Sequence, residues 1–197
     1  MQVEQLRTKK NNLLIKGPLL VEPNVFSDDR GFFMESWNQV RWDDLLANFQ
    51  QSSAGFVQDN HSSSKEGVLR GLHYQIPPHP QGKLVRCVLG EIYDVAVDLR
   101  SSSATFLQYV GVHLTSNNFK QLWIPNGFAH GFLTLSKKAE VLYKATDYWD
   151  PDCERSICWN DPSISLDWPS LLNPPILSDK DATAPLVTQL TKTDLFQ

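Results

Sequence analysis

The sequence predicts an all-β fold of the sandwich or barrel type. Short apolar runs of strand length recur along the chain, and turn residues separate them, with 12 prolines and 10 glycines in 197 residues. No long stretch carries the apolar period of a helix. Strands that follow one another at such regular spacing are typical of sandwiches and barrels.

The clearest strand signal runs from Leu84 to Leu99, where Gly90 divides two apolar runs and predicts a turn. In the second run, apolar residues alternate with small or acidic ones, which predicts a half-buried strand. The apolar positions are Tyr93, Val95, Val97 and Leu99, and the intervening positions are Asp94, Ala96 and Asp98. Further strands are expected over 56–61, 69–75, 106–114, 120–124, 127–135 and 139–146.

One helix is expected over residues 37–49, packed on the sheet. Its predicted apolar face consists of Trp37, Val40, Leu45 and Phe49. Residues 1–12 look like a polar extension, and residues 162–197 are loop-rich, with a short turn or helix expected near Ser170. No linker separates two cores, so residues 1–197 are predicted to form a single domain.

The composition is that of a folded globular chain, with 41% hydrophobic and 20% charged residues. Lys and Arg number 18 against 22 Asp and Glu, so the net charge of -4 argues against a general nucleic-acid or membrane-surface binder. The net charge does not argue against a local basic pocket that binds one anion. No apolar window approaches a membrane span, and the first residues carry no secretory signal, which predicts a cytoplasmic protein. Cys87, Cys153 and Cys158 form no CxxC pair and fit free thiols in a reducing compartment.

The segment IPNGFAHGF, which contains His130, resembles the second signature of the cupin superfamily, whose members are jelly rolls built as double-stranded β-helices. A metal-binding cupin would carry His-x-His and a later Glu in its first signature. Here His73 is followed two positions later by Gln75, and the next acidic residue of that run is Glu91. A metal shell is then hard to complete, so no metal is predicted and a metal-dependent oxygenase is the weaker alternative.

Five segments in order closely resemble the dTDP-4-dehydrorhamnose 3,5-epimerase family, and the likeness extends over 18–181. These segments are DDRGFFMES from Asp28, FVQDNHS from Phe56, GVLRGLH from Gly67, QGK from Gln81 and YKATDY from Tyr143. The resemblance implies a cupin jelly roll with a few short peripheral helices, working as a homodimer without cofactor or metal. It also implies conversion of dTDP-4-dehydro-6-deoxy-D-glucose to dTDP-4-dehydro-L-rhamnose.

This reaction inverts carbons 3 and 5, which both adjoin the ketone at carbon 4. It needs a base on one face of the sugar, an acid on the other, and a cation near the oxygen that becomes negative. By resemblance His73 is the base and Asp181 its supporting carboxylate, although the neighbouring Asp179 is a close alternative for that place. Tyr143 matches the acid, and Lys83 matches the cation.

The resemblance also assigns substrate-binding residues. Arg70 and His130 match contacts to the diphosphate and sugar, while Arg30 and Glu35 match a nucleotide-binding segment that can reach the neighbouring subunit's pocket. The remaining matches are Gln58, Asp59, Asn60, Glu154 and Lys180. Arg70 and His73 have opposite parity on a regular strand, so both can line one pocket only if Gly71 marks a bulge, a twist or a strand end.

Two other functions stay open at this point besides the oxygenase. An enzyme that inverts only carbon 3 or only carbon 5 would need nearly the same residues. A non-catalytic cupin that binds nucleotide sugars would bind the ligand without exchanging its carbon-bound protons. Solvent deuterium incorporation at the two carbons separates these functions.

Overall fold

The computed structural model describes residues 1–53 and 55–197, and most of its regular structure is β-strand. The strands are β1 (Gln2–Arg7), β2 (Leu14–Glu22), β3 (Val25–Asp28), β4 (Gly31–Met34), β5 (Gln58–Lys65), β6 (Leu69–Gln75), β7 (Lys83–Leu89), β8 (Glu91–Asp98), β9 (Tyr109–Thr115), β10 (Gln121–Ile124), β11 (Phe128–Thr134), β12 (Lys138–Ala145) and β13 (Glu154–Ser156). The helices are α1 (Gln39–Asn48) and α2 (Asp179–Ala182), followed by 3-10 turns at Val187–Gln189 and Lys192–Asp194. The all-β prediction is confirmed.

Two antiparallel sheets face each other as in a jelly roll. The six-stranded sheet has the order β1-β2-β10-β7-β12-β5, and the five-stranded sheet has the order β13-β6-β11-β8-β9. Strands that follow each other in the chain often lie in opposite sheets, as β5 and β6 do, so the chain passes repeatedly from one sheet to the other. The strands β3 and β4 form a separate hairpin.

The main core lies between the two large sheets. Its fully buried members include Ile15, Val85, Ile92, Leu114 and Leu122, which come from strands of both sheets. Burial of such a side chain stabilises the fold by about 1.5–3 kcal/mol. This layer fixes the spacing of the sheets and therefore the shape of any pocket between them.

The five-stranded sheet is covered on its outer face by the C-terminal segment. Trp168, Leu190 and Phe196 of that segment pack against a buried cluster that includes Val95 and Val97 of β8. The prediction that β8 is half-buried is therefore wrong, because both of its faces are covered and every residue after Glu91 in it is buried. The face taken for the solvent side is the one turned toward the other sheet.

The outer face of the six-stranded sheet is covered by α1, close to the predicted limits. The Asn38 side chain caps its first turn by accepting from the Arg41 backbone N–H, and Trp42 and Leu46 pack onto the sheet. Val40 does not join this face and is 71% exposed. With 3.6 residues per turn, a position two residues from Trp42 lies on the opposite side of the helix.

Both ends of the chain differ from their prediction. The segment 1–12 is more than a polar extension, because β1 pairs with β2 at the sheet edge and buries Leu6. No helix lies near Ser170; the helix α2 begins at Asp179 instead, after the N-cap Ser178. Among the residues described, no helix has the length and apolarity needed to cross a membrane.

Candidate active site

A pocket of about 390 Å³ opens between the two sheets and brings together six of the residues predicted from the sequence. These are Arg70, His73, Lys83, His130, Tyr143 and Asp181. A larger groove of about 940 Å³ elsewhere on the surface contains none of the predicted site residues. The smaller pocket is the candidate active site because its lining concentrates the acid–base groups.

A bulge in β6 places both Arg70 and His73 in this pocket. On β11 only one residue separates His130, opposite His73, from Phe132, opposite Arg70, whereas β6 has two residues between the same partners. The extra residue shifts the alternation of side chains by one position. The condition derived from the parity of the two residues is therefore met.

Glycine is required at the bulge. Gly71 has a φ of +128°, and a Cβ atom there would lie 2.6 Å from the Gly131 Cα atom on the neighbouring strand. A side chain would push β6 and β11 apart. Arg70 comes directly before this glycine, and its guanidinium Nε donates a 3.1 Å hydrogen bond to Ser64 Oγ.

His73 is bound to a buried carboxylate. Its Nε2 lies 2.5 Å from Oδ1 of Asp181, a residue only 3% exposed. Ser178 donates its hydroxyl to Asp181 Oδ2 at 2.8 Å and accepts from the Asp181 backbone N–H, so the cap of α2 fixes this carboxylate. Burial alone would raise the pKa of Asp181, but the hydrogen bond and charge of His73 and the bond from Ser178 hold it below its usual value. An ionised carboxylate only accepts hydrogen bonds, so Nε2 carries the proton and Nδ1 of His73 is the ring nitrogen left for proton transfer.

Tyr143 and Lys83 come from the opposite sheet. They lie on the paired strands β12 and β7, and the Lys83 Nζ is 5.8 Å from the centre of the Tyr143 ring. Burial raises the pKa of Tyr143, and the charge of Glu154 adds to that effect. Burial lowers the pKa of Lys83 to about 8, against the opposing charges of Glu154 and Asp94. At neutral pH the phenol is therefore a proton donor and the amine is mostly charged.

A second histidine–aspartate pair lies beside the first. His130 is opposite His73 in the sheet, and its Nε2 lies 2.6 Å from Asp94 Oδ1. Burial lowers the pKa of His130, although the charge of Asp94 opposes this shift. Asp94 was not singled out from the sequence, and its only signal was a shared parity with Ile92 and Ala96, which also face the interior.

The predicted residues of β5 lie beside Tyr143. Asn60 is directly opposite Tyr143 in the sheet and accepts a 3.0 Å hydrogen bond from Gln58 Nε2, so these two side chains share one face as expected. The Asp59 side chain points the other way and pairs with Lys144 at 2.8 Å. Asp59 can therefore contribute to the pocket face only through its backbone atoms.

Glu154 and Lys180 form an ion pair of 2.6 Å. Glu154 lies on β13, two positions before the residue opposite His73, and the charges of both members act on Lys83. These two predicted residues are thus partners of each other, and neither is among the residues that line the pocket.

Arg30 and Glu35 do not reach the pocket of their own chain. Arg30 lies at the turn of the β3–β4 hairpin, exposed and paired with Asp28 at 2.5 Å. Glu35 pairs with Arg41 at 2.9 Å and lines a separate groove of about 500 Å³. The hairpin itself exposes Phe26, more than half of whose surface is accessible.

Gln75, at the place where a metal-binding cupin would carry its second histidine, ties two loops together. Its Nε2 donates to the backbone carbonyls of His79 and Tyr148 at 2.6 and 3.1 Å, and its Oε1 accepts from the Asp150 N–H at 2.9 Å. In the part of the chain that the structure describes, no group of three His, Cys, Asp or Glu side chains is arranged to hold a metal ion.

Comparison with known proteins gives one consistent result. The family model for dTDP-4-dehydrorhamnose 3,5-epimerase matches residues 12–189. Proteins described as dTDP-4-dehydrorhamnose 3,5-epimerase from Salmonella typhimurium and Pseudomonas aeruginosa are each 56% identical, covering 89% and 88% of this chain and 93% and 92% of those proteins. The solved structure of the dTDP-6-deoxy-D-glucose-3,5-epimerase from Legionella pneumophila, in complex with dTDP-4-keto-L-rhamnose, superposes with a TM-score of 0.89 at 45% identity and covers 100% of this chain and 98% of that one.

Proposed function

The chain belongs to the dTDP-4-dehydrorhamnose 3,5-epimerase family, and from that premise we propose that it converts dTDP-4-dehydro-6-deoxy-D-glucose to dTDP-4-dehydro-L-rhamnose by inverting carbons 3 and 5. The observation that carries the proposal is the pocket itself. A carboxylate-supported imidazole from one sheet and a protonated phenol from the other line the same cavity.

The first step is removal of a proton from the carbon beside the ketone. His73 Nδ1 takes this proton, and the electron pair of the broken C–H bond moves into the carbonyl to form an enolate. The imidazole becomes a cation, which Asp181 stabilises through the 2.5 Å contact at Nε2. The buried Asp181 also fixes the ring orientation, because its own position is held by Ser178.

Lys83 supplies the cation for the enolate oxygen. Its ammonium lies 5.8 Å from the centre of the Tyr143 ring, and the charges of Glu154 and Asp94 favour its charged form. A charged donor in a pocket that excludes water stabilises the negative oxygen more than water would. Tyr143 then delivers its hydroxyl proton to the opposite face of the carbon, which inverts the centre. The phenolate and the imidazolium return to their starting states by proton exchange with solvent, and the same cycle serves the second carbon.

The test is proton NMR of the dTDP-4-keto sugar with the enzyme in deuterated water, with and without chelator. We expect deuterium at both carbons and the inverted product, unchanged by the chelator. Deuterium at one carbon only would identify a mono-epimerase, and binding without exchange would identify a non-catalytic nucleotide-sugar cupin. Activity that disappears with chelator would restore the metal-dependent alternative.

The proposal includes a homodimer in which the hairpin serves the partner's pocket. Arg30 and the aromatic residues of β3 and β4 project from the body of the chain, and neither Arg30 nor Glu35 lies at the pocket of its own subunit. In a two-fold dimer each hairpin reaches across to the other copy. The free cysteines and the nucleotide-sugar substrate support action in the cytoplasm.

Subunit mixing tests this arrangement. R30A and H73N would each be inactive alone, but a dimer containing one copy of each has one pocket with both changes and one with neither. Random mixing is then expected to restore about one quarter of the wild-type activity. A mixture that stays inactive, with dimers confirmed by light scattering, would place Arg30 and His73 in independent roles within one chain.

A further inference from the structure

Asp94 is buried in a way that requires an explanation. It is fully inaccessible on β8, and one of its oxygens, Oδ1, contacts His130 Nε2 at 2.6 Å. Its other oxygen, Oδ2, has no hydrogen-bond partner among the residues described. A buried carboxylate with an unpaired oxygen costs free energy, so its place directly behind His130, which lines the pocket, points to a role through that histidine.

The carboxylate determines where the proton of His130 lies. A carboxylate only accepts hydrogen bonds, so the ring must present Nε2–H to Oδ1. Burial lowers the pKa of His130, which keeps the ring neutral, and a neutral imidazole has one N–H only. Nδ1, for which the described residues supply no hydrogen-bond partner, is therefore a lone-pair acceptor.

An acceptor at this place distinguishes between the parts of the ligand. The oxygens of a diphosphate accept hydrogen bonds, so they gain nothing from a second acceptor. A sugar hydroxyl can donate to Nδ1. We infer that Asp94 is a positioning residue that holds His130 as a hydroxyl acceptor, so that His130 recognises the sugar ring and not the diphosphate. The inference rests on the proposed function and narrows the role assigned to His130 by resemblance.

The tautomer can be read directly from the unmodified protein. Nitrogen-15 NMR of the histidine side chains distinguishes a protonated from an unprotonated ring nitrogen. For His130 we expect a protonated Nε2 and an unprotonated Nδ1, both in the free protein and with dTDP-glucose bound. A proton on Nδ1 would overturn the inference, whatever the enzyme's activity.

A binding experiment tests the consequence for the ligand. In D94N the amide can donate to His130 Nε2, which releases the constraint on the ring. At about pH 6.5, where Lys83 stays charged, we expect D94N to bind dTDP-glucose about 3- to 10-fold more weakly and to bind dTDP, which lacks the sugar, as the wild type does. Equal weakening of both ligands would show that His130 serves the diphosphate.

Asp98 offers a matched control on the same strand. It is also fully buried, but Arg100, Ser103 and Thr105 bond its carboxylate, away from the pocket. D98N should leave both affinities and the His130 spectrum unchanged; a change there equal to that of D94N would mean that any buried charge on β8 produces the effect. Failure of the proposed function would instead appear as no deuterium exchange by the wild type, with these binding and NMR results unaffected.

Discussion

The two histidine–aspartate pairs lie opposite each other on neighbouring strands, yet their surroundings differ. His73 is 27% exposed at its side chain, and its carboxylate partner is satisfied on both oxygens by His73 and Ser178. His130 is 8% exposed, and Asp94 keeps one oxygen unpaired. A carboxylate beside an imidazole is therefore not enough to predict a base. Access to the pocket and support of the resulting cation separate proton transfer from hydrogen bonding.

Replacing the accessible histidine should give the largest effect. H73N is expected to lower the rate of deuterium incorporation at carbons 3 and 5 by about 10⁴-fold, because the amide cannot take the proton. Affinity for dTDP should change only modestly. Proton NMR in deuterated water measures both centres in one experiment.

A different result with H73N would change the roles proposed for the two histidine–aspartate pairs. Exchange that survives at one carbon in H73N would reveal a second base, and His130 is the candidate nearest to that place. H113N is the matched control, since His113 forms an exposed pair with Glu91 at 2.7 Å outside the pocket. That variant should retain wild-type exchange.

The second prediction asks which group donates on the far face of the sugar. Y143F removes the phenolic proton while keeping the ring, so completed inversion should fall by about 10³-fold and proton removal should survive better. The ratio of exchange without inversion to net epimerisation measures this difference. Equal loss of both rates would argue against a separate acid across the pocket. His130 would then be the next residue to test as the proton donor.

The third prediction separates Asp181 from its exposed neighbour. D181N should lower kcat by about 10²-fold with a small change in KM, because the imidazolium loses its counter-charge and the ring its fixed tautomer. D179N should be close to wild type, since Asp179 is solvent-exposed and lies outside the pocket. If D179N were the more damaging change, Asp179 and not Asp181 would be the carboxylate that supports His73.

The smallest effect concerns pH and links the second pair to Lys83. Since burial lowers the pKa of Lys83 to about 8, the charged form is lost as pH rises through that value, and kcat/KM should fall on the alkaline side. Asp94 raises this pKa, so D94N should move the alkaline limb to lower pH. A pH profile of wild type, D94N and K83R tests this; K83R should lack the limb, because a guanidinium does not titrate there. A limb unchanged in K83R would assign it to another group.

The sequence predicted the strands from β5 to β12 well because their boundaries depend on local residues, but it did not predict β1 to β4 or β13. The run over 69–75 corresponds to β6, and Gly90 is the turn between β7 and β8. The role of Asp94 was missed, because alternation along a strand shows that two faces differ but not which face is interior. Residues 162–197 cover the apolar face of β8 from outside, so its other face, which carries Asp94, is turned toward the opposite sheet.

The site residues needed a different kind of signal. His73 and Asp181 are 108 positions apart, so no local spacing joins them, and their association came from resemblance to a family. The exception was the irregularity at Gly71. Once the resemblance had placed Arg70 and His73 in one pocket, their opposite parity required a bulge, a twist or a strand end there, and the structure has the bulge. A local geometric conflict was thus informative where long-range pairing was not.

The location of Asp181 has a consequence for the order in which the enzyme matures. During synthesis, His73, Lys83 and Tyr143 leave the ribosome long before Asp181, the carboxylate that bonds His73. His73 gains its carboxylate partner only once α2 has packed beside β6 and brought Asp181 to the pocket. A chain that has been synthesised only as far as Tyr143 therefore lacks the carboxylate that bonds His73, and we expect full activity only after α2 has docked.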